Sequence, residues 1–308
     1  MPHLGINIGG TTCSAVLGDE SGAILRRTEW PSHSAEGFAP MLKRIVGHSR
    51  ELAQNDEIAG VGAAVGGPMN GNTGRVLSPP HLPGWDDVPL ADILRAEFNA
   101  PTRVEHDAAA CALAEYLWGT QRPRPQALAY FTCGTGFGMG LVIRGAPYYC
   151  VSGFPPEIGH LSYRQDGPVS FGKTGSFDAF ASMSALTAIR KWRFGAEELT
   201  PRQINDLAQS GDADARQTLE IQAEAVGEAV AVAADLFGID VAVLGSAAQY
   251  LGESWVEKVR ARAQASAGAW NKFAVTASTL GARLQDLSAL AAALMAGQSF
   301  DSRPRFKA

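Results

Sequence analysis

Two segments far apart in the chain are built alike, and together they limit what it can fold into. Leu4 to Ile8 is a short apolar run, Gly9-Gly10-Thr11-Thr12 a glycine turn, and Cys13 to Leu17 a second apolar run. Ala127 to Thr132, Cys133-Gly134-Thr135-Gly136 and Phe137 to Ile143 repeat that order. Each reads as strand, Gly/Thr turn, antiparallel strand, a pairing that short glycine connections allow. A turn of this kind offers backbone N–H groups and hydroxyls to an anion with no side chain in the way. It serves equally well as a plain structural hairpin. The repeat points to two lobes that each open on the same β unit.

Between and after these units the chain alternates strands and helices, the signature of an α/β fold. A third strand is expected over Ala23–Thr28, a helix over Phe38–Ala53 with Met41, Ile45 and Leu52 on one face, and a buried strand over Ile58–Val65. That strand ends in Gly66-Gly67-Pro68, where Gly67 permits close approach of a ligand. Residues 69–88 form a long irregular connection containing SPPHLPGWDD, either functional or merely covering. A helix over Pro89–Phe98 and a strand over Thr102–His106 follow, and Asp107 opens an Ala-rich helix to Trp118. Asp107 suits an N-cap. Gly119 to Pro125 is a connector and marks the lobe boundary. In the second lobe, helices are expected at about 178–192, 201–209 and 213–237, and a strand at Ile239–Leu244 runs into Gly245-Ser246-Ala247. A helix over Glu253–Ala265, a strand over Phe273–Thr276 and a helix over Leu287–Met295 complete it, ahead of a frayed tail, SFDSRPRFKA.

Composition removes several classes of function. At 308 residues with a formal charge of −5, the chain lacks the basic excess that a nucleic-acid partner favours. No apolar run reaches membrane-spanning length and no basic-then-apolar leader opens the chain, so a cytoplasmic protein without a membrane partner is expected. Cys13, Cys111, Cys133 and Cys150 are widely spaced with no C-x-x-C pair, which suits buried reduced thiols.

The densest cluster of polar chemistry lies in Gly153 to Ser182. Glu157 and His160 flank Ile-Gly, a Gly/Pro-rich loop follows, and Asp178 starts a helix. Carboxylates accept from hydroxyls while imidazole donates or accepts, so the set can grip a polyol. Taken alone it is also an ordinary solvated loop.

Together these pieces resemble the ROK family (repressor, open reading frame, kinase) of sugar kinases and regulators, over about residues 4–296. The first phosphate loop D-x-G-G-T is matched by Asn7-Ile8-Gly9-Gly10-Thr11, and the second, G-T-G-x-G, by Gly134 to Gly138. E-N-D-A-N-A-A corresponds to Glu105-His106-Asp107-Ala108-Ala109-Ala110-Cys111, E-x-G-H to Glu157–His160 and L-P-G-W to Leu82–Trp85. The resemblance implies a two-lobed actin-like ATPase (ribonuclease H-like) fold with a central cleft. Residues 1–118 plus 288–308 would form the small lobe and 119–287 the large one. It further implies an ATP-dependent sugar kinase using Mg2+, with Asp107 as general base. Gly67, His106, Asp107, Glu157, His160 and Asp178 would bind the sugar. Gly9, Gly10, Thr11, Thr12, Gly134, Thr135, Gly136, Gly245 and Ser246 would bind the nucleotide. The partners are then a small-molecule sugar and a nucleotide, with a homodimer allowed for.

Four departures qualify this. The first-loop acid is Asn7, which weakens any hard-cation site. The Asn before the base is His106, a bulkier side chain. The zinc motif C-x-C-G-x-x-G-C-x-E reads Val169-Ser170-Phe171-Gly172-Lys173-Thr174-Gly175-Ser176-Phe177-Asp178, so every thiolate is gone and no zinc is expected. Phe171 and Phe177 are expected to hold that loop by apolar packing instead. Last, the motif's Glu is the shorter Asp178. An active hexose or amino-sugar kinase and a weak or inactive sugar-binding sensor both fit. A DNA-binding repressor is disfavoured, because Met1 lies so close to the first strand.

Overall fold

In the computed structural model, the described residues are 1–121, 123–195 and 198–298. The tail expected over 299–308 lies outside them. The described residues divide into two compact units, one of Met1–Trp118 with Val151–Phe154 and the described residues from Arg283 on, the other of Gly119–Cys150 with Pro155–Ala282.

The first unit is built on a five-stranded sheet. Strands β1 (His3–Ile8), β2 (Thr12–Gly18), β3 (Ile24–Pro31) and β4 (Gly60–Val65) precede a two-residue hairpin, β5 (Met69–Asn70) and β6 (Arg75–Val76); β7 (Thr102–His106) completes the sheet. The sheet order is β3-β2-β1-β4-β7. β1 pairs antiparallel with β2, and parallel with β4, which in turn runs parallel to β7. Helix α1 (Phe38–Ala53) buries Met41, Ile45, Ser49 and Ala53, one residue per turn, as an amphipathic helix must. Helix α2 (Leu90–Phe98) and the Ala-rich α3 (Asp107–Trp118) follow. The last helix, Leu284–Leu294, returns to this unit and packs on β1 and β4. Its Asp286 accepts from Ser14 Oγ at 3.3 Å and from Arg27 Nε at 2.7 Å, fastening the returning helix to the sheet through charge-assisted bonds.

The connection after β4 is less irregular than its sequence suggests. Besides the β5–β6 hairpin, it carries the fully buried Trp85, whose ring meets Phe38 edge-on with centroids 5.1 Å apart. Burying an aromatic this size contributes on the order of 2–3 kcal/mol, enough to fix the loop that surrounds it.

The second unit repeats the topology. Its sheet, β10-β9-β8-β13-β14, comprises β8 (Ala127–Cys133), β9 (Phe137–Ile143), β10 (Ala146–Pro147), β13 (Val241–Leu244) and β14 (Ala274–Ala277). A second hairpin joins β11 (Val169–Ser170) to β12 (Lys173–Thr174). The helices are α4 (Phe177–Ala181), α5 (Ala185–Phe194), α6 (Pro201–Ser210), α7 (Ala213–Phe237), α8 (Ser246–Leu251) and α9 (Glu253–Ser266). Helix α7 starts on Asp212, whose carboxylate accepts from Ala215 N–H at 2.7 Å, and stops at Gly238, whose φ of 60° suits a glycine.

The helix expected across 178–192 is broken in two. Ser182 Oγ accepts from Ala185 N–H at 3.1 Å and donates to the Asp178 carbonyl at 2.9 Å. This hydroxyl ends α4 and starts α5 in place of a continuous ladder. Helix α8 lies just after the strand expected to end at Leu244, where only a glycine turn was expected.

Candidate active site

In the first unit the parallel strands bring three loops to one sheet edge. Ile8 lies opposite Val65, and Val65 opposite His106. Gly9, Gly66 and Asp107 therefore leave adjacent strands at the same C-terminal edge, the place where open α/β sheets bind ligands. Asp107 is the first residue of α3, and 55% of its side chain is exposed. Its Oδ1 accepts from Ala108 N–H at 2.6 Å and lies 3.2 Å from His106 Nδ1. One carboxylate oxygen is thus fixed at the helix start while the group stays open to a solute. Asp107 is the first helical residue rather than the N-cap expected of it, and its bond comes from the next amide, not from one two or three residues on.

Gly66 and Gly67 make room for two imidazoles. A Cβ at Gly67 would stand 2.9 Å from His106 Nε2. One at Gly66 would stand 2.6 Å from His81 Cε1 and 3.6 Å from Asp107 Oδ2. His81 belongs to the SPPHLPGWDD stretch and was not among the expected site residues. The signal was a histidine one residue before the buried Leu82, but nothing in the spacing tied it to Asp107. Desolvation pushes its pKa below the ordinary histidine value, with the Asp107 charge opposing that shift and His106 adding to it.

The first glycine loop is held from below. Gly9 N–H donates to the Thr12 carbonyl at 3.1 Å, and the Gly10 carbonyl accepts from Ser32 Oγ at 2.6 Å and Ser34 Oγ at 2.7 Å. Thr11 and Thr12 are exposed, and Asn7 sits near the end of β1.

The second unit presents a parallel arrangement. Leu244 of β13 lies opposite Phe131 of β8, so Gly134 and Gly245 emerge at one edge, and Gly245 N–H donates to the Phe131 carbonyl at 2.9 Å. Ser246 is exposed at the start of α8. The Gly134–Gly136 turn closes on itself by a 3.0 Å bond from Gly134 N–H to the Gly136 carbonyl. The break between α4 and α5 supports it, because Met183 N–H donates to the Gly134 carbonyl at 2.9 Å and Ser184 Oγ to the Thr135 carbonyl at 2.6 Å.

Asp178 was expected among sugar contacts, and its surroundings give it another task. It is 4% exposed; Oδ1 accepts from Phe137 N–H and Oδ2 from Ser170 Oγ, each at 2.5 Å. A buried carboxylate with both oxygens engaged ties the second glycine turn to the β11–β12 hairpin. Glu157 and His160 stay exposed and 3.9 Å apart, bracketing a short 3-10 turn over Ile158–His160. The two expected loop-holding aromatics part company. Phe177 is buried and stacks on Tyr163 at 5.1 Å, whereas Phe171 is 71% exposed with its ring 5.8 Å from that of His160. Among the described residues, no group of three or more His, Cys, Asp or Glu side chains is arranged to hold a metal ion.

Comparison with known proteins follows from this geometry. The chain is similar to a xylose repressor from Caldicellulosiruptor bescii, 31% identical over 217 residues, covering 66% of this chain and 54% of the repressor. It therefore spans about half the length of that relative. A glucokinase from Thermotoga maritima is 28% identical over 270 residues, covering 82% of this chain and 85% of that enzyme. Among solved structures, the ROK hexokinase from Thermus thermophilus superposes with a TM-score of 0.85 at 26% identity, covering 96% of this chain and 98% of the hexokinase. A ROK family glucokinase from Streptomyces griseus, in complex with glucose and AMPPNP, shares the fold with a TM-score of 0.77 at 24% identity, covering 96% and 100%. The mixed α/β architecture is thus the actin-like ATPase fold of these sugar kinases. The ROK family model matches residues 3–298, and the chain belongs to the ROK family.

Proposed function

We propose that this protein is an ATP-dependent kinase that phosphorylates a hydroxyl of a hexose or amino sugar, with Asp107 as the general base. The observation that carries this is the Asp107 carboxylate, held at the edge shared by three parallel strands, anchored through Oδ1 and more than half exposed. A carboxylate so held can take the proton of an attacking hydroxyl. His106 beside it and Gly67 against the His106 ring are assigned to the acceptor hydroxyls, as is the Glu157–His160 pair of the second unit. Asp178 positions the second glycine turn through its bond from Phe137 N–H. Gly9 to Thr12 and Gly134 to Gly136, with Gly245 and Ser246, contact the nucleotide through backbone N–H groups and hydroxyls. Magnesium arrives with the nucleotide phosphates as part of the substrate. The family relationship to glucokinases supports the reaction class.

A sugar-binding regulator is the second reading, favoured by the match to a xylose repressor and by Asn7 in the first loop. ADP release, measured in a coupled assay over hexoses, amino sugars and N-acetyl sugars, separates the two. Sugar-dependent release is expected from the kinase. Calorimetric sugar binding without release for any acceptor would leave the regulator.

A further inference from the structure

His81 sits on a segment whose shape is fixed while its own side chain is not buried. Leu82 and Trp85 on either side of Pro83-Gly84 are fully buried, and Leu82 N–H donates to the Pro79 carbonyl at 2.9 Å. Ser78 N–H donates to the Trp85 carbonyl at 3.0 Å, and Ser78 Oγ to Asp86 at 2.5 Å. The loop is thus closed on itself, with His81 exposed on its crest. From there it touches two of the loops that leave the sheet edge. Its carbonyl would lie 2.9 Å from a Cβ at Gly10, and its ring lies against Gly66.

The imidazole has work available that the chain does not occupy. Among the described residues, no hydrogen bond from its ring nitrogens to protein is formed. The ionisable groups acting on it are Asp107, which favours the cation, and His106, which opposes it. We propose that His81 is an additional acceptor-binding residue, its imidazole hydrogen-bonding the sugar hydroxyl beside the one whose proton Asp107 removes. This rests on the kinase function proposed above. A neutral imidazole donates at one nitrogen and accepts at the other, which matches a hydroxyl that does both. Desolvation favours the neutral form of His81, lowering its pKa from the ordinary histidine value. In acid its cation would face Asp107, hold the carboxylate's charge and weaken it as a base. Turnover should therefore fall on the acid side as His81 takes up a proton, an acid limb that a variant without a titrating group at this position lacks.

The test compares wild type with His81→Asn, which keeps a donor and an acceptor but does not titrate, and His81→Phe, which keeps a ring without hydrogen bonds. ADP release is followed against acceptor concentration, ATP concentration and pH. His81→Phe is expected to raise the acceptor KM about tenfold, the loss of roughly one hydrogen bond, and to leave the ATP KM unchanged. His81→Asn should stay within about threefold of wild type in acceptor KM, yet remain active to lower pH. In parallel, the His81 ring proton in the wild-type NMR spectrum should move on saturation with the acceptor. An unchanged acceptor KM in His81→Phe, or superimposable acid limbs for wild type and His81→Asn, overturns the assignment and leaves the kinase intact. If either variant melts well below wild type, the NMR titration decides, and an unmoved His81 resonance overturns it. Absence of ADP release by wild type with every acceptor removes the kinase and this role with it.

Discussion

In the proposed kinase, single residues decide whether the glycine turns and Asp107 can do chemistry. Asn7 stands where the resemblance puts an acid in the first loop, so in the proposed kinase it would offer a magnesium-bound water a hydrogen bond but no charge. In phosphoryl transfer that charge helps hold the metal that neutralises the moving group. Asn7→Asp is expected to lower the magnesium concentration needed for half-maximal rate and to raise turnover. A loss of activity in an already fast wild type would mean that the amide is an adapted feature. The cysteines give a second check at this scale. Burial pushes the Cys13 thiol up to about 11 and Cys133 up to about 12, so both stay protonated and shielded near pH 8. Native-state alkylation followed by mass spectrometry should label Cys111 and Cys150 faster than either. Rapid labelling of Cys133 would show that the sheet it belongs to opens.

At the scale of elements, the β11–β12 hairpin shows what replaced the zinc motif. Ser170 pairs with Lys173, and the two residues between, Phe171 and Gly172, have φ of 47° and 74°. That is a two-residue turn with both centres left-handed, a geometry favouring Asn-Gly over Phe-Gly. Phe171→Asn should therefore stabilise the protein by about 0.5–1 kcal/mol in denaturant unfolding, since Asn tolerates this backbone and the exposed ring adds little. Destabilisation would show that the contact with His160 matters more than the turn. Protein purified without chelator should carry no stoichiometric zinc, because Val169, Phe171 and Ser176 supply no thiolate; one tightly bound zinc per chain would contradict this. The glycines of this loop were legible in the sequence, and so was the loss of its ligands. Which aromatic would be buried was not, because Phe171 and Phe177 have the same hydropathy, and only the fold shows that Phe171 sits at the hairpin's turn while Phe177 opens α4 against the core. The break at Ser182 was hidden for a similar reason: Ser and Met continue a helical pattern, and the local Ser182 bonds that interrupt it are reinforced by tertiary bonds to Gly134 and Thr135 that spacing cannot give. Asp178 read as a ligand for its position in a motif, while its burial depended on partners, Phe137 and Ser170, whose placement spacing cannot give.

For the molecule as a whole, the duplicated unit was the most readable feature. Both five-stranded sheets run edge, antiparallel, antiparallel, parallel, parallel in the same sequence order, and both place their glycine turns where the first strand ends. Apolar periodicity and glycine punctuation write that plan locally, so it survives in one sequence. His81 was missed because its link to Asp107 runs through Gly66, on a third segment, and appears only once the sheet register is known. The proposed reaction turns on Asp107 taking a proton from a bound sugar. Its most direct test measures sugar-dependent ADP release and calorimetric sugar binding together, in wild type and Asp107→Asn. The amide oxygen can keep the bond from Ala108 N–H, so folding and sugar affinity should stay close to wild type while turnover falls by about 10²-fold or more. Turnover by Asp107→Asn near the wild-type rate would contradict it.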